Sequence, residues 1–172
     1  MEDDLARRLL DASELRGDFV LSSGKRSSVY FDKFRFLTDP ELLRETAAAI
    51  ADMLPAGVTH LAAPEGAATL LVAAVALQTR LPVAVVRKEP KAYGTMSQIE
   101  GHAPPGSELA LIEDVSTTGH QVLKAAKALE AHGCRIGVIV LAIDRGGAEH
   151  LREAGYWVKS LIEVEPEANA TS

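Results

Sequence analysis

Leu109-Ala110-Leu111-Ile112-Glu113-Asp114-Val115-Ser116-Thr117-Thr118-Gly119-His120-Gln121-Val122 is the stretch on which the reading of the fold turns. Leu109 to Ile112 are apolar and read as a buried strand. Glu113 and Asp114 sit at its end, and Ser116, Thr117, Thr118 and Gly119 then form a short hydroxyl-rich turn. Val122, Leu123, Ala126 and Leu129 follow at helical spacing. The order is strand, acid pair, small-residue loop, helix start. It gathers backbone N–H groups, hydroxyls and the positive end of a helix dipole, which suits a phosphate. The acids suit hydroxyl groups, because an ionised carboxylate only accepts hydrogen bonds. A ligand carrying both is a phosphorylated ribose. The bland alternative is topology alone, since a strand, an acid and a Gly-containing turn are weak evidence by themselves.

Outward from this stretch the chain alternates. Val58 to Ala62 reads as a strand, Ala67 to Gln78 as an Ala-rich helix, and Val83 to Val86 as a strand opened by Pro82. Gly119 to His132 is the helix after the central strand, stopped by Gly133. Ile136 to Ile143 is a β-branched strand, Ala148 to Ala154 a short helix and Trp157 to Val164 a last strand. Such alternation predicts an α/β fold, a mainly parallel central sheet flanked by helices. On the N-terminal side, Asp4 to Ala12 reads as an amphipathic helix. Phe19 to Leu21 and Val29 to Phe31 read as strands around the polar turn Ser22 to Arg26. Thr38-Asp39-Pro40-Glu41 is a helix start with Thr38 or Asp39 as cap and Glu41 at capping-box spacing, the helix running to about Leu54.

The totals fit one soluble domain: 172 residues, 47% hydrophobic, 24% charged. A net charge of −6 argues against a general nucleic-acid or membrane surface. The single cysteine, Cys134, allows no intrachain disulfide framework and reads as an inert buried thiol. No signal peptide is visible at the acidic N-terminus, and the apolar run from Leu70 to Leu77 is too short to span a bilayer. The expected location is therefore cytoplasmic. Between Val86 and Glu108 lies a long stretch of little apolar periodicity, with Arg87, Lys88 and Lys91 close together and Gly94 as a hinge candidate. Loops of this length are usually functional or disordered. This one begins at the C-terminal end of one core strand, while the acid pair ends the next, and open α/β sheets bind ligands at that edge.

These residues resemble the type I phosphoribosyltransferases, within them the orotate branch, over nearly the whole chain. Glu113 to Gly119 is similar to the family's phosphoribosyl-pyrophosphate motif. Arg87-Lys88-Glu89-Pro90-Lys91-Ala92-Tyr93-Gly94 resembles the mobile catalytic loop of the orotate branch. Phe19 to Gly24, followed by Tyr30 and Phe31, resembles its N-terminal hood. Ile143-Asp144-Arg145 resembles its late strand, whose arginine meets the orotate carboxylate. Three positions depart from the pattern: Tyr93 stands where histidine is frequent, Ser22 where lysine is frequent, and the loop that is often glycine-rich reads Pro64-Glu65-Gly66-Ala67-Ala68 and brings no lysine. On this resemblance residues 1–36 form the hood, 37–165 the phosphoribosyltransferase core and 166–172 a tail.

The resemblance implies transfer of the phosphoribosyl group of 5-phosphoribosyl-1-pyrophosphate to orotate. It implies catalytic roles for Lys88, Lys91 and Asp114. Donor binding falls to Arg87, Lys88, Lys91, Tyr93, Glu113, Asp114, Val115, Ser116, Thr117, Thr118, Gly119 and His120. Orotate binding falls to Ser23, Gly24, Tyr30, Phe31, Thr117 and Arg145. Mg²⁺ is expected as a cofactor carried by substrate phosphates, with no dedicated protein metal site. A homodimer with shared active sites is expected, with no nucleic-acid or membrane partner. Some choices stay open. His120 either reaches the phosphate or caps the helix. Arg145 taken alone reads as a surface ion pair with Asp144 beside it, a reading that the resemblance tips toward the ligand, and only one of Tyr30 and Phe31 can face the ligand. Trp157 reads as core or interface. Two rival functions are a phosphoribosyltransferase for another base and a non-catalytic sensor of phosphoribosyl pyrophosphate.

Overall fold

A computed structural model of the chain describes residues 2–20, 24, 26–90 and 97–164. The first elements are helix α1 (Glu2–Ser13) and an antiparallel pair, β1 (Glu14–Val20) and β2 (Arg26–Phe31). A single helical turn follows, α2 (Phe34–Leu37), and then α3 (Pro40–Met53). Next come β3 (His60–Pro64), α4 (Ala68–Thr79), β4 (Val83–Val86), β5 (Ile99–Gly101) and β6 (Glu108–Ser116). The chain closes with α5 (His120–Ala131), β7 (Arg135–Asp144), α6 (Gly147–Glu153) and β8 (Val158–Glu163).

The six-stranded sheet has the order β5-β4-β3-β6-β7-β8. All neighbours are parallel except β5, which folds back antiparallel on β4. The α/β expectation with a mainly parallel sheet therefore holds. From β3 the chain winds one way to β4 and, after β6, the other way to β7 and β8. The crevice between β3 and β6 is thus the topological switch point, where open α/β sheets bind ligands. The sheet is buried on both faces. Leu61, Ala63, Ala110, Ile112, Val138 and Val140 join α1 to α4 in one apolar cluster. Ala62, Leu109, Leu111, Ile139 and Leu141 pack beneath α5 and α6 in the other. Alternate residues of each strand serve opposite clusters, as a period of two requires.

Several element ends differ from the sequence reading. The strand expected over Val58 to Ala62 is shifted to His60–Pro64. The central strand, expected to stop at Ile112, runs on to Ser116. Its polar end pairs with β7 through Val115↔Ile143 and Ser116↔Asp144, so ladder hydrogen bonds rather than hydrophobicity extend it. β5 and α2 were not expected at all. The α3 cap is Asp39, whose Oδ1 accepts the N–H groups of Glu41 and Leu42, both at 2.9 Å. Thr38 donates its hydroxyl to the Phe34 carbonyl instead, so the capping box is not formed. Trp157, open between core and interface, is 53% exposed, with Lys159 Nζ 4.8 Å from its ring centre. Cys134 is buried, and burial raises its thiol pKa, in keeping with an inert role. Phe36 and Leu37 of α2 are buried in the same cluster as α3 and α4, so the hood shares the core.

Candidate active site

The site is built at the carboxyl edge of β6. Ser116 ends the strand, Thr117 to Gly119 turn, and α5 begins at His120. The turn works only with glycine at 119. Its φ is +74°, and a Cβ there would lie 2.7 Å from the Gly147 carbonyl oxygen and 3.1 Å from Leu151 Cγ. A Cβ on Gly147 would in turn overlap the Ser116 hydroxyl. The starts of α5 and α6 are therefore packed against each other through glycine. The backbone N–H of Arg145 donates to the Ser116 carbonyl at 2.8 Å, tying the β7–α6 turn to the hydroxyl loop.

A cleft of about 410 Å³ opens here. It is lined by Lys33, Glu113, Val115, the run Ser116 to Gly119, and Gln121 and Val122 of α5. Hydroxyls, the backbone at a helix start and one ammonium suit an anionic, phosphorylated ligand. The two acids diverge. Glu113 lines the cleft, whereas the Asp114 side chain has 0% exposure. Asp114 Oδ1 accepts the Val115 N–H at 2.6 Å and the Lys33 ammonium at 3.2 Å. Glu113 Oε1 accepts the Asp114 N–H at 3.2 Å. Burial first, then the charge of Asp114 and a hydrogen bond with its side chain, push the Glu113 carboxyl up to about 8, and Lys33 works against this.

A second hollow, about 240 Å³, adjoins the first at Gln121. Arg87, Lys88 and Lys124 line it together with Pro64, Val86 and Gln98. The Lys88 N–H donates to Glu65 Oε1 at 2.8 Å, and Lys124 pairs with Glu89 at 2.9 Å. The departure at Pro64 to Ala68 thus places an acid beside the start of the cationic loop. Lys91, Tyr93, Gly94, Ser22 and Ser23 lie outside the described residues.

Tyr30 and Phe31 divide as strand alternation requires. Phe31 carries the Arg145 guanidinium 5.1 Å from its ring centre, while Tyr30 stacks on Phe19 at 5.5 Å. Arg145 Nε is buried without a hydrogen-bond partner among the described residues. The neighbouring Asp144 turns its Oδ1 to the N–H groups of Gly146 at 2.9 Å and Ala148 at 3.1 Å. Gly24 is exposed, at φ +81°. The His120 ring lies 4.8 Å from that of His150. Three residues absent from the sequence reading enter here: Lys33, Gln121 and Lys124. Gln121 and Lys124 were visible as the cleft-side positions of the first turns of a helix already expected. Lys33 had no local signal.

No helix of the described residues is long and apolar enough to cross a membrane. Residues 37–170 match the phosphoribosyl transferase domain family. The orotate phosphoribosyltransferase of Thermococcus gammatolerans is 41% identical over 169 residues, 95% of this chain and 89% of that protein. The crystal structure of orotate phosphoribosyltransferase from Aeropyrum pernix is similar with a TM-score of 0.80 and 32% identity, over 93% of both chains. That of Mycobacterium tuberculosis H37Rv in complex with 5-phospho-α-D-ribosyl 1-diphosphate shares the fold, with a TM-score of 0.79 at 23% identity over 94% of this chain and 95% of that one. With a hydroxyl loop and acid pair at the switch point, a cationic loop beside them and matches that run almost end to end, the chain belongs to the orotate branch of the phosphoribosyltransferases.

Proposed function

We propose that the protein transfers the phosphoribosyl group of 5-phosphoribosyl-1-pyrophosphate to orotate, giving orotidine 5′-monophosphate and pyrophosphate, a step of pyrimidine biosynthesis. The anomeric C–O bond to pyrophosphate breaks with oxocarbenium character on the ribose, and a ring nitrogen of orotate forms the new bond. Negative charge grows on the departing pyrophosphate, so cations aimed at it act on the transition state rather than on the ground state. Arg87, Lys88 and Lys91 are assigned that role, with Tyr93 as an uncharged donor among them. Ser116, Thr117, Thr118, Gly119 and His120, with the Val115 backbone, hold the 5′-phosphate. Glu113 and Asp114 receive the ribose hydroxyls and face the developing positive charge. Arg145, stacked on Phe31, takes the orotate carboxylate, and Ser23, Gly24, Tyr30 and Thr117 complete the base site.

One observation carries the choice of base. Arg145 presents a buried Nε with no partner among the described residues beside an aromatic ring, and its backbone is bonded to Ser116 of the hydroxyl loop. A planar anion held there is kept at a fixed distance from the ribose phosphate, and such orientation is much of the catalysis. Among the described residues no three His, Cys, Asp or Glu side chains gather to hold a metal. The hydroxyls lining the cleft offer neutral oxygens beside a divalent ion that arrives on the donor's own oxygens, while the ammonium suits the phosphate, and no protein ligand is assigned to the ion. Mg²⁺ so carried supplies positive charge to the leaving pyrophosphate. The protein is further assigned to the cytoplasm, as a homodimer whose cationic loop closes over the neighbour's site. The test is an ultraviolet assay of base consumption with donor and Mg²⁺ against a panel of pyrimidines and purines. Orotate alone should be consumed; consumption of a purine in its place would refute the assignment.

A further inference from the structure

Lys33 belongs to none of the motifs in this chain, yet it sits in the middle of the site. It occupies the turn where the hood joins the core, immediately before α2. Its ammonium reaches 81 residues along the sequence to Asp114 Oδ1, at 3.2 Å. The lysine side chain is 40% exposed and lines the cleft, while that of Asp114 has no exposure. Seen from the cleft, Lys33 covers Asp114. The Asp114 Oδ2 atom is buried with no donor among the described residues. A hydrogen bond from the Glu113 carboxyl needs a proton there. An acceptor buried under a movable cation is a poor resting arrangement but a good receiving one. Once Glu113 is ionised its hydrogen bond is gone, and a ligand hydroxyl supplies Oδ2 with the donor that the empty site then lacks.

We propose that Lys33 is a positioning residue for the phosphoribosyl donor, covering and counter-charging Asp114 in the empty site and yielding the carboxylate to the ribose hydroxyls as the donor enters. This rests on the acid pair being the ribose site. Exchange is open to it, because the lysine side chain is 40% exposed and can swing into the cleft while the ribose hydroxyls take over the buried carboxylate. The displaced ammonium stays in a cleft that also contains the hydroxyl loop, where the donor's phosphate can meet it. The groups facing Glu113 are few. Asp114 is beside it and Lys33 comes from the hood. Leu141 is its partner on β7, and α5 presents Gln121 and Val122 to the same cleft. Arg145 on the next turn is stacked on Phe31. Lys33 is thus the cation that opposes proton uptake by Glu113. Without it the Glu113 carboxyl, buried beside the charge of Asp114, holds its proton to higher pH.

The test compares Lys33→Met, Lys33→Gln and Lys33→Arg with the parent. Donor affinity is measured by calorimetry, and kcat/KM for each substrate across about pH 6 to 9.5, a range that brackets the acid pair. In Lys33→Met and Lys33→Gln the acid limb for the donor should move up by about one pH unit, since a nearby opposite charge shifts a carboxyl by one or more. Donor binding near pH 7 should weaken roughly tenfold, the equivalent of that shift, and the gap should close above the limb. Lys33→Arg should follow the parent, and the KM for orotate should stay nearly constant. An unchanged donor limb in a folded Lys33→Met or Lys33→Gln protein, or an equal rise in both KM values, would overturn the proposal. Calorimetry needs no turnover. A parent that binds donor but consumes no orotate refutes the assigned reaction and leaves the binding comparison to decide on Lys33. A parent that binds no donor refutes both.

Discussion

At Glu113, burial and the charge of Asp114 oppose ionisation, and the group titrates near 8 against an ordinary 4.5. A folded-state pKa raised this way stabilises the protein fully below about 4.5, and that contribution is lost as pH rises through about 8. Glu113→Gln has no such titration. Its melting temperature should fall less than the parent's between about pH 5 and 9, and parallel thermal melts would show an ordinary carboxyl. Asp114→Asn should stay folded, because an amide oxygen can still accept from Val115 and Lys33. Turnover should drop by more than about tenfold, since a neutral group no longer meets the developing positive charge. Arg145→Ala should raise the KM for orotate by about 10- to 100-fold and leave that for the donor within about twofold, because a buried carboxylate loses its charged partner. Equal changes in steady-state kinetics would make Arg145 structural. These residues were legible in the sequence, since each sits in a short local motif. Lys33 was not, because its partner is 81 positions away and only the folded hood brings them together.

At the scale of elements, existence was legible and ends were not. Apolar runs marked β3, β4, β6, β7 and β8, because buried strands must be apolar on both faces. What continues β6 through Glu113 to Ser116 is pairing with β7, which no window of its own sequence contains. β5 is three residues long and exists through its ladder with β4. The glycines carry more information than their number suggests. Gly119→Ala forces a left-handed φ on alanine and drives its Cβ against the Gly147 carbonyl. It should cost about 1–3 kcal/mol and weaken phosphate binding. Gly57, at φ +101° with open space around it, is the control, and Gly57→Ala should cost about 1 kcal/mol. Denaturant unfolding of both variants checks the contrast. Equal losses would show that the α5–α6 contact gives way without resistance.

At the scale of the whole molecule, the proposed shared-site dimer makes a sharp prediction. Inactive Lys91→Ala mixed with inactive Asp114→Asn, under conditions that exchange subunits, should recover about a quarter of full activity, because one site in each mixed dimer joins an intact loop to an intact acid pair. Exchange without recovery would mean that the loop serves its own subunit. The parallel sheet, its switch-point edge and the hydroxyl loop follow from alternation and from one strand-turn-helix string. The joining of hood to core through Phe31, Lys33, Phe36 and Leu37 follows from packing and had no pattern to announce it. The neck of the cationic loop has its own consequence. The Arg87 N–H donates to the Gln98 carbonyl at 2.8 Å, and Gln98 Nε2 donates to the Arg87 carbonyl at 3.0 Å. Because the two ends are clasped, the connection between Arg87 and Gln98 should accept lengthening, exchange for that of a relative, or opening into the new termini of a circular permutant with little disturbance to the sheet, since the entropy of bringing its ends together grows only slowly with length.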